Sequence, residues 1–322
     1  MRRSLFKLAF STPVHFGGES PQGLENADMT CRADTLFSAL CAAARALGGS
    51  EEVERLCALV RDDRLRLSDA MPWQKDRFYL TKPAMTARRP ILQTGDRKAF
   101  KKLQWISLAD YPAYLRAMLE GQPFNAHEPP SAFGESILHT KGASGRSADE
   151  ETTLWSVAAF EFYPENGLWF AAECDTGETA GLLGALTEAL GAGGMGGKIS
   201  GGYGKFSVIK QLDIDAAPTA DIKWLSKALQ CRRAPLYITL TSALPRDDEL
   251  DGVLEDAQYQ LVRRGGFMAP GSGGAQKKST QYFLAAGATL RRPFDGDLYE
   301  AGAQDGHPIF RCGRPMLLGV TS

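Results

Sequence analysis

Eight of the fourteen positions from Gly191 to Gly204 are glycine: Gly191, Gly193, Gly194, Gly196, Gly197, Gly201, Gly202 and Gly204. Each glycine loses more backbone freedom on ordering than any other residue, so this density excludes a helix or strand interior and demands a loop. Its flanks predict what it joins. ETAGLLGALTEALG precedes it, with Leu182, Leu183, Leu186 and Leu190 on one helical stripe, and KFSVIKQL follows as a strand. A Walker-type loop needs GxxxxGK[ST] between a strand and a helix. Here Gly197-Lys198 is followed by Ile199, position 192 is Ala192, and the element order is reversed. Gly191, Gly193 and Gly196 meet a dinucleotide fingerprint literally, again in reversed order. A flexible linker and a phosphate-backbone cradle are left. Lys198, Lys205, Tyr203 and Phe206 add charge and rings, which favours the cradle.

The rest of the first two thirds reads as alternating elements. LFKLAF opens as a strand, with Leu5, Lys7 and Ala9 on one face and Phe6, Leu8 and Phe10 on the other. CRADTLFSALCAAARALGG predicts a helix whose stripe is Leu36, Phe37, Leu40, Cys41, Ala44 and Leu47, stopped by Gly48-Gly49, with a shorter helix over 50–60. Residues 121–153 read as an irregular insertion. LWSVAAFEF, the turn YPENG and LWFAAEC then predict a hairpin. Strand, helix, hairpin, helix and strand in that order suggest a ferredoxin-like βαββαβ unit over 1–215, with an insertion at about 75–150. After DIDAAPTAD, a short helix leads to PLYITLTSA, with Leu236, Ile238 and Leu240 on one face. Strands are expected at 280–290 and 314–321, and a helix at 248–262. Residues 216–322 thus read as a second, degenerate ferredoxin-like domain, and the fold class as α+β with two ferredoxin-like (RRM-like) domains and a basic insertion in the first.

That insertion opens with a strongly cationic run. Residues 75–102 hold nine basic side chains (Lys75, Arg77, Lys82, Arg88, Arg89, Arg97, Lys98, Lys101 and Lys102) against Asp76 and Asp96. A solvated face would account for the charge. The interleaved Phe78, Tyr79, Phe100 and Trp105 point instead to a nucleic-acid surface, where cations pair with phosphates and rings stack on bases. Net charge over the whole chain is only −1, so any such surface must be local. Six scattered cysteines without a CxxC argue for buried thiols in a reducing compartment and against a zinc site, and no cofactor or metal is expected. There is no apolar run long enough to span a membrane. The start MRRSLFKLAF is interrupted by Lys7 and reads as a strand of a cytoplasmic protein.

GGMGGKISGGYGKF resembles the glycine-rich loop of the RAMP superfamily of CRISPR proteins, whose folds are built on RRM-like domains. VHFG (Val14 to Gly17) with ADTLFSALC (Ala33 to Cys41) is similar to one branch, the fourth subunit of the type III-A Csm complex. RRPIL, KAFKKLQWIS, RRGGF (Arg263 to Phe267) and GHPIFRCGRPMLLGV agree in order, so the resemblance covers most of the chain. It implies a non-catalytic, Cas5-type cap that grips the 5′ repeat-derived tag of the crRNA. The cap would join the large polymerase-cyclase-type subunit to the backbone RAMP subunit. The implied RNA contacts are His15, Gly196, Gly197, Lys198, Ser200, Gly201, Gly202, Tyr203 and Lys205, with Lys198 and Ser200 at phosphates and Tyr203 near a base. Lys75, Arg77, Arg88, Arg89, Lys98, Lys101 and Lys102 would form a projecting thumb, and Arg263 and Arg264 would add to the RNA surface. Some RAMP proteins cut RNA without metal, and an endoribonuclease acting on repeat RNA is the alternative. His15, then His139, would be its candidate acid–base residues.

Overall fold

Residues 1–17, 26–87, 102–124, 130–143, 153–216, 219–268, 276–304 and 306–321 are described by a computed structural model. Strand β1 (Arg2–Phe10) is buried on both faces, and each face meets a different core. Phe6 and Leu8 pack with Leu36, Phe37 and Leu40, while Leu5 packs with Trp169, Leu225 and Ile238. Alternation along one strand therefore places β1 between two layers.

The chain continues through β2 (Phe16–Gly17), β3 (Ala27–Asp28), helix α1 (Ala33–Arg61), β4 (Leu65–Leu67), β5 (Met71–Gln74), β6 (Arg77–Thr81) and β7 (Trp105–Ser107). Then come α2 (Tyr111–Glu120), β8 (Gly134–Ala143), β9 (Thr153–Phe162), β10 (Asn166–Cys174), α3 (Gly177–Gly193) and β11 (Phe206–Asp213). Seven of these strands form one sheet in the order β11-β1-β10-β5-β6-β7, with β4 also on β10. The pairs are antiparallel, and Leu5 lies between Ala171 and Leu212. Helices α1 and α3 cover one face. Gly49 breaks α1 at φ 69°, where the glycine pair predicted a stop. Leu47, expected on the buried stripe, is 63% exposed beside that break.

The C-terminal third holds α4 (Ala220–Gln230), β12 (Leu236–Thr239), α5 (Leu250–Leu254), β13 (Leu261–Arg264), β14 (Gln281–Leu284), β15 (Thr289–Leu290), β16 (Leu298–Gln304), β17 (His307–Cys312) and β18 (Leu317–Val320). Its three-stranded sheet runs β15-β12-β18, and β13-β14 and β16-β17 are two-stranded ribbons. Leu236, Ile238 and Leu240 face one side, as their spacing predicts, and join α2, α4 and the outer face of the central sheet in one core. The whole is a mixed α/β chain built on antiparallel sheets.

Two expected elements differ. LWSVAAFEF and LWFAAEC are both strands but not a hairpin: β9 pairs with β8, and β10 pairs with β1, β4 and β5. Strand patterning selects the strands and leaves their partners open. Here the Tyr163–Asn166 turn carries the chain out of the β8–β9 ribbon, and Gly167 sits so close to β1 that a Cβ would lie 2.3 Å from the Leu8 carbonyl. Part of the region read as irregular is thus a ten-residue strand. The helix expected over 248–262 shrinks to five residues. Glu255 is extended and Asp256 takes φ 56°, and Leu261–Arg264 is a strand.

Candidate nucleic-acid interface

The glycine loop begins where α3 ends and crosses over the segment that follows β1. Met195 is fully buried; its N–H donates to the Gly204 carbonyl at 2.9 Å. The Gly197 N–H donates to the His15 carbonyl at 2.8 Å, and the Gly204 N–H to the Pro13 carbonyl at 2.8 Å. Ile199–Gly201 forms one turn of 3-10 helix, with Lys198 (φ 60°) and Gly202 (φ 86°) left-handed on either side. The Gly201 and Gly202 amides close onto Lys198 and Ile199 carbonyls. This packed geometry rules out a flexible linker. It also revises the cradle: the amides of Gly197, Gly201, Gly202 and Gly204 are spent on the protein, so they do not present donors to a ligand. A ligand is left the side chains of Ser200 and Lys205, both exposed, and the half-buried Lys198. The Lys205 N–H is itself held by Thr12 Oγ1 at 2.9 Å.

Close approach explains several glycines directly. A Cβ at Gly196 would lie 2.8 Å from the His15 carbonyl, and one at Gly197 would lie 2.7 Å from His15 Cδ2. His15 is only 7% exposed, and its Nδ1 donates to the Ala158 carbonyl at 2.6 Å. It is a post under the loop, not an open RNA contact as expected. Tyr203, expected near a base, is 4% exposed and packs on Val157 and Ala159. Its hydroxyl lies 2.5 Å from His139 Nδ1, and Lys141 Nζ stands 4.5 Å from the ring centroid. Tyr203 thereby ties the loop to the β8–β9 ribbon. The part played by Lys141 was missed because it lies in the stretch read as irregular.

The basic run divides. Lys75, at φ 54° in the β5–β6 turn, is exposed, and its carbonyl accepts from Lys7 Nζ at 2.7 Å. Lys7 Nζ also sits 3.8 Å from the Trp73 ring centroid, and burial lowers its pKa. Arg77 is half-buried and Lys102 exposed, while Arg88, Arg89, Lys98 and Lys101 lie outside the described residues. Phe78 and Tyr79 are core residues, so they do not interleave with the cations as stacking rings. Lys75, Arg77, Tyr163 and Asn166 line an open cleft of about 660 Å³ between the β5–β6 and β9–β10 turns.

Arg263 is half-buried on the β13–β14 ribbon. Arg264, predicted at the RNA surface, faces inward instead. Its guanidinium reaches Asp34 at 2.9 Å and Thr35 Oγ1 at 2.8 Å, and Arg311 lies 3.4 Å from the same carboxylate. The strand's alternation puts Arg263 and Arg264 on opposite faces, and among the described residues only the inner one meets an acid. Among the described residues no cluster of three or more histidine, cysteine or acidic side chains could hold a metal, and no helix is long and apolar enough to cross a membrane.

A family model of the RAMP superfamily matches residues 7–207, and one of the CRISPR Csm4 C-terminal domain matches 232–320. The chain belongs to the RAMP superfamily of CRISPR proteins. Within it, the chain is a member of the Csm4 family. The CRISPR system Cms protein Csm4 of Mycobacterium tuberculosis is 30% identical over 324 residues, 99% of this chain and 98% of that one. The Csm4 of Streptococcus thermophilus is 27% identical over 98% of both chains. Among solved structures, a chain of the Csm3–Csm4 subcomplex of the type III-A CRISPR-Cas interference complex matches with TM-score 0.65 and 17% identity over 100% of both chains. A chain of the Csm1–Csm4 cassette with cA4 matches with TM-score 0.60 and 19% identity, covering 99% of this chain and 98% of that one.

Proposed function

We propose that this chain is the non-catalytic crRNA-binding cap of a type III-A effector complex. It grips the 5′ repeat-derived tag and bridges the large polymerase-cyclase-type subunit to the backbone RAMP subunit. The observation that carries this reading is the end-to-end likeness to Csm4 proteins, relatives of which were crystallised with Csm1 and with Csm3. We read the unit over 1–215 as ferredoxin-like, which is supported by the antiparallel order β11-β1-β10-β4/β5 under two helices. The part over 216–322, with its three-stranded sheet, is the degenerate second unit. The non-catalytic assignment is supported by the burial of His15, the first acid–base candidate, beneath the glycine loop.

The test is co-expression with the large subunit, the backbone subunit and a repeat-containing crRNA, followed by purification on a tag carried by this chain. All three should travel with it. A free monomer of 34.9 kDa without RNA would overturn the proposal. Incubating the pure chain with repeat RNA, with and without EDTA, tests the endoribonuclease alternative. No cleavage is expected, and a product abolished by His15→Ala or His139→Ala would establish that alternative.

A further inference from the structure

We infer that the outer face of the β13–β14 ribbon is a stacking platform for single-stranded RNA, with Phe267 and Tyr282 taking bases and Arg263 and Lys277 taking phosphates. The inference rests on the RNA-binding reading above and gives it a second contact surface, separate from the glycine loop.

The ribbon is amphipathic in an unusual sense. Its inner face is buried in the ordinary way through Val262, Arg264 and Phe283. Its outer face is not the polar surface expected of a solvated ribbon. Tyr282 is 57% exposed, Leu261 55% and Phe267 61%. Arg263 and Tyr282 are directly opposite, so their side chains share the outer face. Past Arg264, a bridge pairs Phe267 with Lys277, whose Nζ stands 5.9 Å from the Phe267 ring centroid. Two pairs of ring and cation, Arg263 with Tyr282 and Lys277 with Phe267, thus follow one another along the ribbon, and such pairs are what proteins use to hold single strands without reading sequence.

Charge selects the occupant. From Ala257 to Phe294 the sequence contains no aspartate or glutamate, but it has Arg263, Arg264, Lys277, Lys278, Arg291 and Arg292. Arg264 is paired with Asp34 and Arg292 with Glu255, which leaves Arg263 and Lys277 as the cations the ribbon's outer side offers a polyanion. The inner cations also anchor the platform. Arg264 grips Asp34 and Thr35, and Lys278 Nζ donates to Ser38 Oγ at 3.2 Å, so the ribbon is fixed on the first turns of α1. A stacking surface is also what the glycine loop lacks. Its Tyr203 and Phe206 are both buried, which leaves that loop cations and a hydroxyl but no open ring.

The experiment uses the full chain and a repeat-tag RNA carrying 5-bromouridine. Irradiation should crosslink the RNA to peptides containing Phe267 or Tyr282. In anisotropy titrations, Phe267→Ala with Tyr282→Ala should weaken binding roughly tenfold or more, with an unchanged melt because both rings are exposed. Phe267→Leu with Tyr282→Leu should weaken it similarly, since apolar area is kept but stacking is lost. Lys198→Glu serves as the glycine-loop control. If that control loses affinity while both double variants bind like wild type and carry no crosslinks, the platform is overturned and the cap reading stands. A wild-type chain that binds no RNA overturns both. Wild-type RNA affinity in the double variants, with lost capture of the large or backbone subunit, makes this face a protein interface and overturns the platform.

Discussion

Gly193, Gly202 and Gly204 are glycine for different reasons, and substitution separates them. Gly193 ends α3 with open space where a Cβ would go, so Gly193→Ala should be neutral or stabilising by up to about 1 kcal/mol through helix propensity. Gly202 also has open space but takes φ 86°, so Gly202→Ala should cost about 1–2 kcal/mol of left-handed strain. Gly204 combines φ 76° with a Cβ position 2.1 Å from the Met195 carbonyl, and backbone cannot step aside. Gly204→Ala should cost about 3 kcal/mol or more. Thermal melts of the three variants check the ranking, and equal melting temperatures would show that the loop is not packed as described. The count of glycines made the loop legible in the sequence. What was not legible is that the room beside Gly194, Gly196, Gly197 and Gly204 is taken by Tyr203, His15 and Met195, because the loop folds back on itself and onto His15, far away in sequence. The same limit misplaced Arg264, whose partner Asp34 lies 230 residues away.

At the scale of elements, the first turn of α1 is held from outside. Its N-cap residue Arg32 makes no side-chain cap. The role passes to Asp69, between β4 and β5, whose Oδ1 accepts from the Ala33 N–H at 2.8 Å and from the Ser242 N–H at 2.9 Å. Its Oδ2 accepts from Ser242 Oγ at 2.7 Å. One carboxylate thus joins α1, the central sheet and the chain leaving β12. Burial raises the Asp69 pKa, and the Ser242 and Ala33 donors offset that only in part. An aspartate whose folded pKa is raised contributes its stability below the ordinary carboxylate value, and that contribution is lost as pH rises through the raised value. Asp69→Asn keeps an acceptor for both amides and removes the charge. The melting temperature of wild type minus that of Asp69→Asn should therefore shrink as pH rises above the ordinary carboxylate range. A difference that grows with pH would contradict the burial argument. Periodicity made α1, its break at Gly49 and the Leu183–Leu186–Leu190 stripe of α3 readable. It could not show the remote cap, nor that β9 turns away from β10 to pair with the polar strand β8.

For the whole molecule, the sequence suggests a boundary near residue 215, yet the packing does not divide there. Leu5, Trp169 and Ala171 on the outer face of the central sheet share one core with Leu225, Leu229, Ile238 and Leu318 from beyond the boundary. Polar contacts cross it as well. Arg232 reaches Glu173 at 3.5 Å, Ser242 Oγ donates to Asp69 at 2.7 Å, and Arg66 donates to the Pro315 carbonyl at 3.1 Å. Composition and turn signals mark where the chain pauses, whereas shared burial decides what unfolds together. Each large apolar side chain returned to water costs about 1.5–3 kcal/mol. Exposing several at once exceeds the roughly 5–15 kcal/mol that holds a typical domain folded. The full chain should therefore melt in one calorimetric transition whose measured and van't Hoff enthalpies agree. A fragment of residues 1–215 would leave Leu5, Met71, Trp169 and Ala171 open on one face of its sheet, and it should aggregate or melt without a cooperative transition. Two resolved transitions in the full chain, or a soluble 1–215 fragment melting as it does within the whole, would show two independent folding units and break the single-core account.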